Sequence, residues 1–246
     1  MPRLDGCLTP VAYRSVLRKF GRLHLPGVLN PADALILSRL VANAQGWRRT
    51  IHMGPGQDYD MPMAEFLALS QAEQADLERR VHASARDAFR YMFDTVRMGQ
   101  DALMGEVLDT GLDEVRRFLN SDAFLGFARD LTGDDRIVYA DCMATRYLPG
   151  HFLTAHDDEA PGRDRLYAYV LNLTARWRAD WGGMLLFLDE ADHVAEGYMP
   201  AFNSLNIFKV PQRHAVSIVA PFAGEPRLAV TGWLRARTPE GWEPYD

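Results

Sequence analysis

RLYAYVLNLTARWRADWGGMLLF, residues 165–187, carries two apolar runs, Leu166–Leu173 and Met184–Leu188, separated by a Gly182-Gly183 pair. Both runs are short, rich in aromatic and branched residues and bounded by turn formers, which is the pattern of strands rather than of helices. The pattern repeats on either side. Ile137–Tyr147 precedes it, and Leu205–Val210, Ala215–Val219 and Leu228–Leu234 follow. Pro149-Gly150, Pro161-Gly162, Pro211 and the Pro221–Pro226 segment punctuate the series. Many short strands without intervening helices predict a sandwich or jelly roll.

Before Gly133 the apolar spacing turns helical. Asn30 or Pro31 can open a helix that carries Leu35, Ile36, Leu37, Leu40 and Val41 as far as Gly46. Ser70 with Glu73 forms a capping box and predicts a long helix to about Met98, with Leu77, Val81, Ala85, Ala88, Met92 and Val96 as its apolar face. Asp113–Leu119 and Asp122–Leu131 read as shorter helices. Gly54–Pro62, rich in Gly, Pro and Asp, reads as a loop able to line a site. No internal repeat or low-complexity linker divides the chain. One mostly-β domain with added helices is therefore expected over residues 1–246. Helical support over about residues 30–132 would back a jelly-roll core over about residues 136–237.

The chain has 246 residues, 27 Lys+Arg against 33 Asp+Glu and a formal net charge of -6, a balance that argues against nucleic acid as the main partner. Cys7 and Cys142 are too few for a disulfide framework, and without a CxxC pair they offer no thiolate zinc site. The N-terminal stretch has an acid at Asp5 and no apolar core of a signal peptide, and no segment approaches a membrane span. A cytoplasmic protein with no membrane partner is expected. No G-x-S-x-G, G-x-G-x-x-G or P-loop occurs, which disfavours serine hydrolysis and nucleotide binding.

The chemistry-bearing residues lie in the second half. In His156-Asp157-Asp158, side chains two apart share one face of a strand, so His156 and Asp158 are expected together and Asp157 away from them. His214 opens a later strand. Two histidines and one carboxylate make the facial triad of non-haem Fe(II) oxygenases, which leaves open positions on the metal. Arg227 begins the last strand. A buried arginine cannot shed its charge and needs an anion, such as the distal carboxylate of a dicarboxylate cosubstrate. Tyr147 can donate its hydroxyl to the same ligand. Taken singly, a strand-end histidine, an ordinary salt bridge and a half-buried aromatic would account for His214, Arg227 and Tyr147. His151 has the wrong parity to join His156, and His24, His52, His82 and His193 lack a partner at ligand spacing.

RYLPGHFLTAHDD (146–158), RLYAYVLNLTARWRADWGGMLLF (165–187) and RHAVSIVAPFAGEPRLAVTGWLR (213–235) occur in this order and at compatible spacings. Together they resemble the 2-oxoglutarate- and Fe(II)-dependent dioxygenases, specifically their prolyl 4-hydroxylase-like branch. The resemblance implies a double-stranded β-helix, that is, a jelly roll with N-terminal helices packed on its larger sheet. It implies His156, Asp158 and His214 as iron ligands, Arg227 as the residue binding the 2-oxoglutarate distal carboxylate, and Tyr147 beside that cosubstrate. Asn172 falls where related prolyl hydroxylases often have a second tyrosine, and its amide would give the cosubstrate a neutral hydrogen bond. Leu185 matches an apolar wall residue. The implied cofactors are Fe(II), 2-oxoglutarate and O2, with succinate and CO2 formed as a C–H bond is hydroxylated. The implied substrate is a prolyl residue of a protein or peptide. A free amino acid or other small metabolite is the alternative substrate, and a metal-binding sensor or interaction module without turnover the alternative class.

Overall fold

Residues 1–98 and 110–240 are described by the computed structural model of the chain, and their strands join a single 13-stranded sheet. The predicted runs appear as β5 (Tyr139–Ala140), β6 (Met143–Tyr147), β8 (Arg165–Asn172), β9 (Leu185–Leu188), β11 (Ser204–Lys209), β12 (His214–Val216) and β13 (Arg227–Arg235). Phe152–His156 adds β7 and Val194–Tyr198 adds β10. The order β11-β8-β13-β6 makes a larger antiparallel sheet and β7-β12-β9-β10 a smaller one. From β6 onward the chain crosses back and forth between the two, which is the winding of a double-stranded β-helix.

The N-terminal part extends both sheets. β1 (Arg22–Pro26) pairs with β11, and β4 (Tyr91–Arg97) pairs with both β6 and β7, so it bridges the two sheets. The hairpin of β2 (Arg48–His52) and β3 (Asp58–Pro62) is added to β4. Two expectations are corrected here. The Ser70 capping box forms, with Ser70 Oγ accepting from the Glu73 amide, but its helix ends at Ser84 and Tyr91–Arg97 is a strand. Met92 and Val96, four apart, mimic helical spacing, whereas the alternation of Met92, Asp94 and Val96 on one face is what β4 uses. The Gly54–Pro62 segment is a turn only in its first half, and Asp58–Pro62 forms β3.

The helices of the described residues are α1 (Pro10–Phe20), α2 (Pro31–Ala42), α3 (Met63–Ala68), α4 (Gln71–Ser84), α5 (Thr110–Leu119) and α6 (Asp122–Thr132). Asn30 caps α2 through the Ala32 amide, and Ser121 caps α6 through the Phe124 amide. Leu17, Leu37, Val41, Phe118, Phe124 and Leu131 pack against Tyr169, Leu171, Leu205, Ile207, Leu228 and Val230 in one buried cluster. These strand residues lie on the outer face of the larger sheet. Its other face looks into the barrel, which is why β13 is buried on both faces. A second cluster seats α3 and α4, through Phe66, Leu77 and Val81, on Ile51, Met92 and Phe152. No helix of the described residues is long and apolar enough to cross a membrane.

A buried ion triad ties the bridge together. Asp94 on β4 is fully buried and accepts from Arg49 Nε of β2 at 2.6 Å and from Arg146 of β6 at 2.9 and 3.0 Å. Both arginines sit directly across from Asp94 in register. His151, in the turn between β6 and β7, is buried nearby with its Nδ1 unpartnered. Burial, then the Arg49 charge, pushes its imidazole from 6.5 down to about 2. The unfolded chain takes up a proton near pH 6.5 and the folded chain does not, so this contribution to stability is present above that pH and lost as pH falls. The loss amounts to on the order of 1 kcal/mol per pH unit. Urea unfolding at pH 7.5 and pH 5 should show a clearly smaller acid loss for His151→Phe than for the wild type, and equal losses would remove His151 as the cause.

Candidate active site

His156 is the last residue of β7 and His214 the first of β12, and the two are direct cross-strand partners. Their rings lie 4.1 Å apart, centroid to centroid. Asp158 reaches both, with its two oxygens 3.4 Å from His156 Nε2 and 3.5 Å from His214 Nε2. One ligand atom from each residue lies within 4.8 Å of the others, a spacing that one divalent ion can bridge. The second nitrogens are occupied. His156 Nδ1 sits 3.0 Å from the Thr154 carbonyl and His214 Nδ1 2.7 Å from the Gln212 carbonyl. Each Nδ1 must therefore carry the proton, which leaves both Nε2 lone pairs facing the cluster. Burial, reinforced by the His156 charge, lowers His214 to about 4, so its imidazole is neutral at pH 7. Burial works to raise the Asp158 carboxyl, but its neighbours His156, His214 and Trp233 outweigh it and hold the group below its ordinary value.

Asp158 is on the expected side, but not for the expected reason. β7 ends at His156, and Asp158 adopts φ +65°, a left-handed conformation unusual for a residue with a side chain. The turn, rather than strand alternation, swings the carboxylate back over the histidines. Asp157 points elsewhere, with its carboxylate accepting from the Glu159 amide. Arg165 Nη1 donates to the Asp158 carbonyl at 3.1 Å, and the guanidinium carbon lies 3.5 Å from the centre of the Trp233 ring, which locks this turn from β8 and β13.

The three residues open on a cavity of about 400 Å³ between the two sheets. Arg227 lies in the same cavity and is only 2% exposed. Among the described residues its guanidinium has no acidic or carbonyl partner. Its Nε is unpaired, and its guanidinium carbon lies 5.0 Å from the centre of the Tyr147 ring. Burial lowers its pKa, with Tyr147 pulling the other way. Gly183, at φ +61°, leaves it room, since a β-carbon there would come 3.0 Å from Arg227 Cδ. Tyr147 is the cross-strand partner of Arg227, buried, with its hydroxyl pKa raised chiefly by burial, and it stacks on Phe93 at 5.1 Å and 14°.

Leu185 lines the cavity. Asn172 is not among the lining residues. Its amide nitrogen donates to Ser204 Oγ at 3.0 Å across the β8–β11 pair, while its Oδ1 is buried without a partner. Sequence reading missed Arg165 and Trp233, and it also missed Phe89, Tyr91 and Phe93, which form one wall of the cavity. The alternation of Phe89, Tyr91, Phe93, Thr95 and Arg97 was the available signal for that wall.

A jelly roll whose cavity holds two histidines and one carboxylate has the donor set of a non-haem Fe(II) oxygenase, and the buried, unpaired arginine fits a carboxylate-bearing cosubstrate. Residues 142–235 match the family model described as the 2OG-Fe(II) oxygenase superfamily. That family works with Fe(II), 2-oxoglutarate and O2. In fold the chain is similar to an oxidoreductase of the 2OG-Fe(II) oxygenase family from Burkholderia pseudomallei, with TM-score 0.63 and 15% identity over 96% of this chain and 94% of that one. It is also similar to a prolyl hydroxylase from Trichoplax adhaerens in complex with a hypoxia inducible factor oxygen degradation domain peptide fragment, with TM-score 0.58 and 16% identity over 92% and 89%. The prolyl 3-hydroxylase OGFOD1 of Mus musculus is 28% identical over 144 residues, 54% of this chain, and the chain spans 26% of that relative's length.

Proposed function

We propose that the protein is an Fe(II)- and 2-oxoglutarate-dependent hydroxylase of a prolyl residue in a protein or peptide. The carrying observation is that the His156–Asp158–His214 cluster and an unpaired buried arginine share one cavity. In this reading the two Nε2 atoms and the Asp158 carboxylate hold Fe(II), and Arg227 forms a bidentate pair with the distal carboxylate of 2-oxoglutarate. Tyr147 covers the arginine and offers its hydroxyl to the same carboxylate. Bound together, Fe(II), 2-oxoglutarate and O2 supply the oxidising chemistry, with succinate and CO2 as coproducts of C–H hydroxylation. The chain's own part is to fix the donors through the Thr154 and Gln212 carbonyls, to neutralise the cosubstrate, and to exclude water with Leu185, Phe208 and Val216.

A peptide is favoured over a free amino acid by the cost of burying charge in the cavity. Of the arginines on its wall, Arg97 is paired with Asp60 and Arg227 would be taken by the cosubstrate, while Asp158 would be taken by the metal. A free amino acid would have to bury both an ammonium and a carboxylate there, whereas a peptide-bonded residue brings no charge. The similarity to a prolyl 3-hydroxylase and to the fold of a peptide-binding prolyl hydroxylase supports the same choice. The test is to incubate the protein with Fe(II), 2-oxoglutarate and a prolyl-peptide library in air. Succinate should form, and prolyl residues should gain about 16 Da, one oxygen atom. Wild-type protein that binds metal yet forms no succinate above that of an Asp158→Ala control would favour a binding module without turnover.

A further inference from the structure

From Phe89, just before β4, to Phe93 within it, every second residue turns a ring toward the cavity. Phe89 lies 5.3 Å from the His156 ring, Tyr91 5.7 Å from Phe89, and Phe93 5.4 Å from Tyr91. Phe93 in turn stacks on Tyr147, beneath which Arg227 lies. The run from Phe89 to Phe93 spans roughly 13 Å at about 3.3 Å per residue. Its two ends differ. The Phe93 end belongs to the arginine, where the cosubstrate is proposed to sit. The Phe89 end overlies a metal-ligand candidate at the rim, and Phe89 remains 38% exposed. His52, on the β2–β3 hairpin, continues this outer half by stacking on Tyr91 at 5.5 Å and 25°.

A large aromatic held half-exposed beside a reactive centre, on a surface that continues onto a neighbouring hairpin, calls for an apolar partner that arrives from solvent. A prolyl residue suits it on three counts. Its saturated ring can lie flat on an aromatic face. Its nitrogen, once peptide-bonded, has no N–H and requires no acceptor from a wall of rings. It carries no charge into a cavity lined by three arginines.

We propose that Phe89 and Tyr91 form the surface against which the prolyl ring of an extended polypeptide substrate lies, and that they set the preference for peptide-bonded proline over free proline. The proposal rests on the hydroxylase reading above. The β2–β3 hairpin then receives the adjoining residues of the peptide, which continue outward past His52.

The test needs no turnover. Protein loaded with Mn(II) and saturated with 2-oxoglutarate is titrated into acetyl-Ala-Pro-Ala-amide, and paramagnetic broadening of the pyrrolidine protons is followed by NMR. The wild type should broaden the blocked tripeptide, with free L-proline affected far less. Phe89→Ala and Tyr91→Ala should each weaken tripeptide binding by about tenfold or more, the loss typical of an aromatic anchor. Tyr91→Phe, which keeps the ring, should stay within about twofold. Metal content and 2-oxoglutarate binding are measured on the same samples. Tripeptide broadening unchanged in both alanine variants, free proline bound as well as the tripeptide, or no broadening by metal-loaded wild type would each overturn the proposal. A wild-type protein that takes up neither Mn(II) nor 2-oxoglutarate would instead overturn the hydroxylase reading itself.

Discussion

Asp158→Ala is expected to strip the protein of its metal, while Asp157→Ala retains it. Asp158 is the only negative group of the three candidate ligands, and it stands 3.4 and 3.5 Å from the two Nε2 atoms. Two neutral imidazoles alone hold a dication far less well than the full set. Loss of a partner that merely orients a ligand typically costs roughly 10–100-fold in metal affinity, and loss of the ligand itself should exceed that. The backbone adds a complication, because Asp158 sits at φ +65°, where alanine is strained by about 1–2 kcal/mol. Asp158→Gly removes the carboxylate and suits that conformation, so it should lose metal as completely as the alanine variant without the added strain. Mn(II) titration followed by calorimetry distinguishes these cases, and metal should raise the thermal midpoint of the wild type and of Asp157→Ala alone. A carboxylate-free Asp158 variant that binds Mn(II) as tightly as the wild type would sink the assignment of this cluster as the metal centre.

The jelly roll could be read from the sequence wherever a strand is buried on at least one face. Leu166–Leu173, Leu205–Val210 and Leu228–Leu234 have dense apolar runs because helices cover one side and the cavity wall the other, so burial wrote the pattern. Among the strands that escaped notice, two are ones on which burial exerts little pressure. β10, VAEGY, is an edge strand with Val194 exposed, and β3, DYDMP, is an edge strand paired only with β2. β4 was obscured for a different reason. The capping box at Ser70 announces where a helix begins and carries nothing about where it stops. Beyond Ala85, the spacing of Ala88, Met92 and Val96 satisfied a helical stripe by coincidence. That misreading had a consequence for the site, because the wall of Phe89, Tyr91 and Phe93 lay inside the supposed helix.

The site itself was legible to the extent that its residues sit at strand ends. His156, His214 and Arg227 terminate or open strands, where turn residues mark the position. Asp158 depended on a backbone twist that alternation does not encode. Asn172 was placed by spacing from other motifs, which fixes a register along β8 but not what each end of the amide meets: its nitrogen donates to Ser204 and its Oδ1 is left without a partner. Arg165 offered no signal, since an arginine before an apolar run is common and only the fold brings it onto Trp233.

Arg227→Ala should abolish most of the affinity for 2-oxoglutarate while leaving metal binding intact. The guanidinium is fully buried, without an acidic or carbonyl partner among the described residues, and burial lowers its pKa, so it remains charged only at a cost to the fold. Such a cation is stabilised when an anion arrives, and the pairing is charge-assisted and shielded from water. Removing it leaves the distal carboxylate buried alone, at a cost of roughly 3–5 kcal/mol, or a few-hundredfold or more in affinity. Tyr147→Phe removes only a neutral hydrogen bond and should cost on the order of 1 kcal/mol. Two readouts follow. Calorimetric titration of 2-oxoglutarate onto Mn(II)-loaded protein gives the affinities directly. Thermal unfolding gives the complementary signature: the ligand-free variant should be no less stable than the wild type by more than its lost packing on Tyr147, because an uncompensated charge has left the interior. The stabilisation that 2-oxoglutarate confers on the wild type, which follows from mass action, should vanish in Arg227→Ala and persist in Tyr147→Phe. Equal 2-oxoglutarate affinity in Arg227→Ala and the wild type would remove the anion clamp and leave the unpaired arginine without a role in the site.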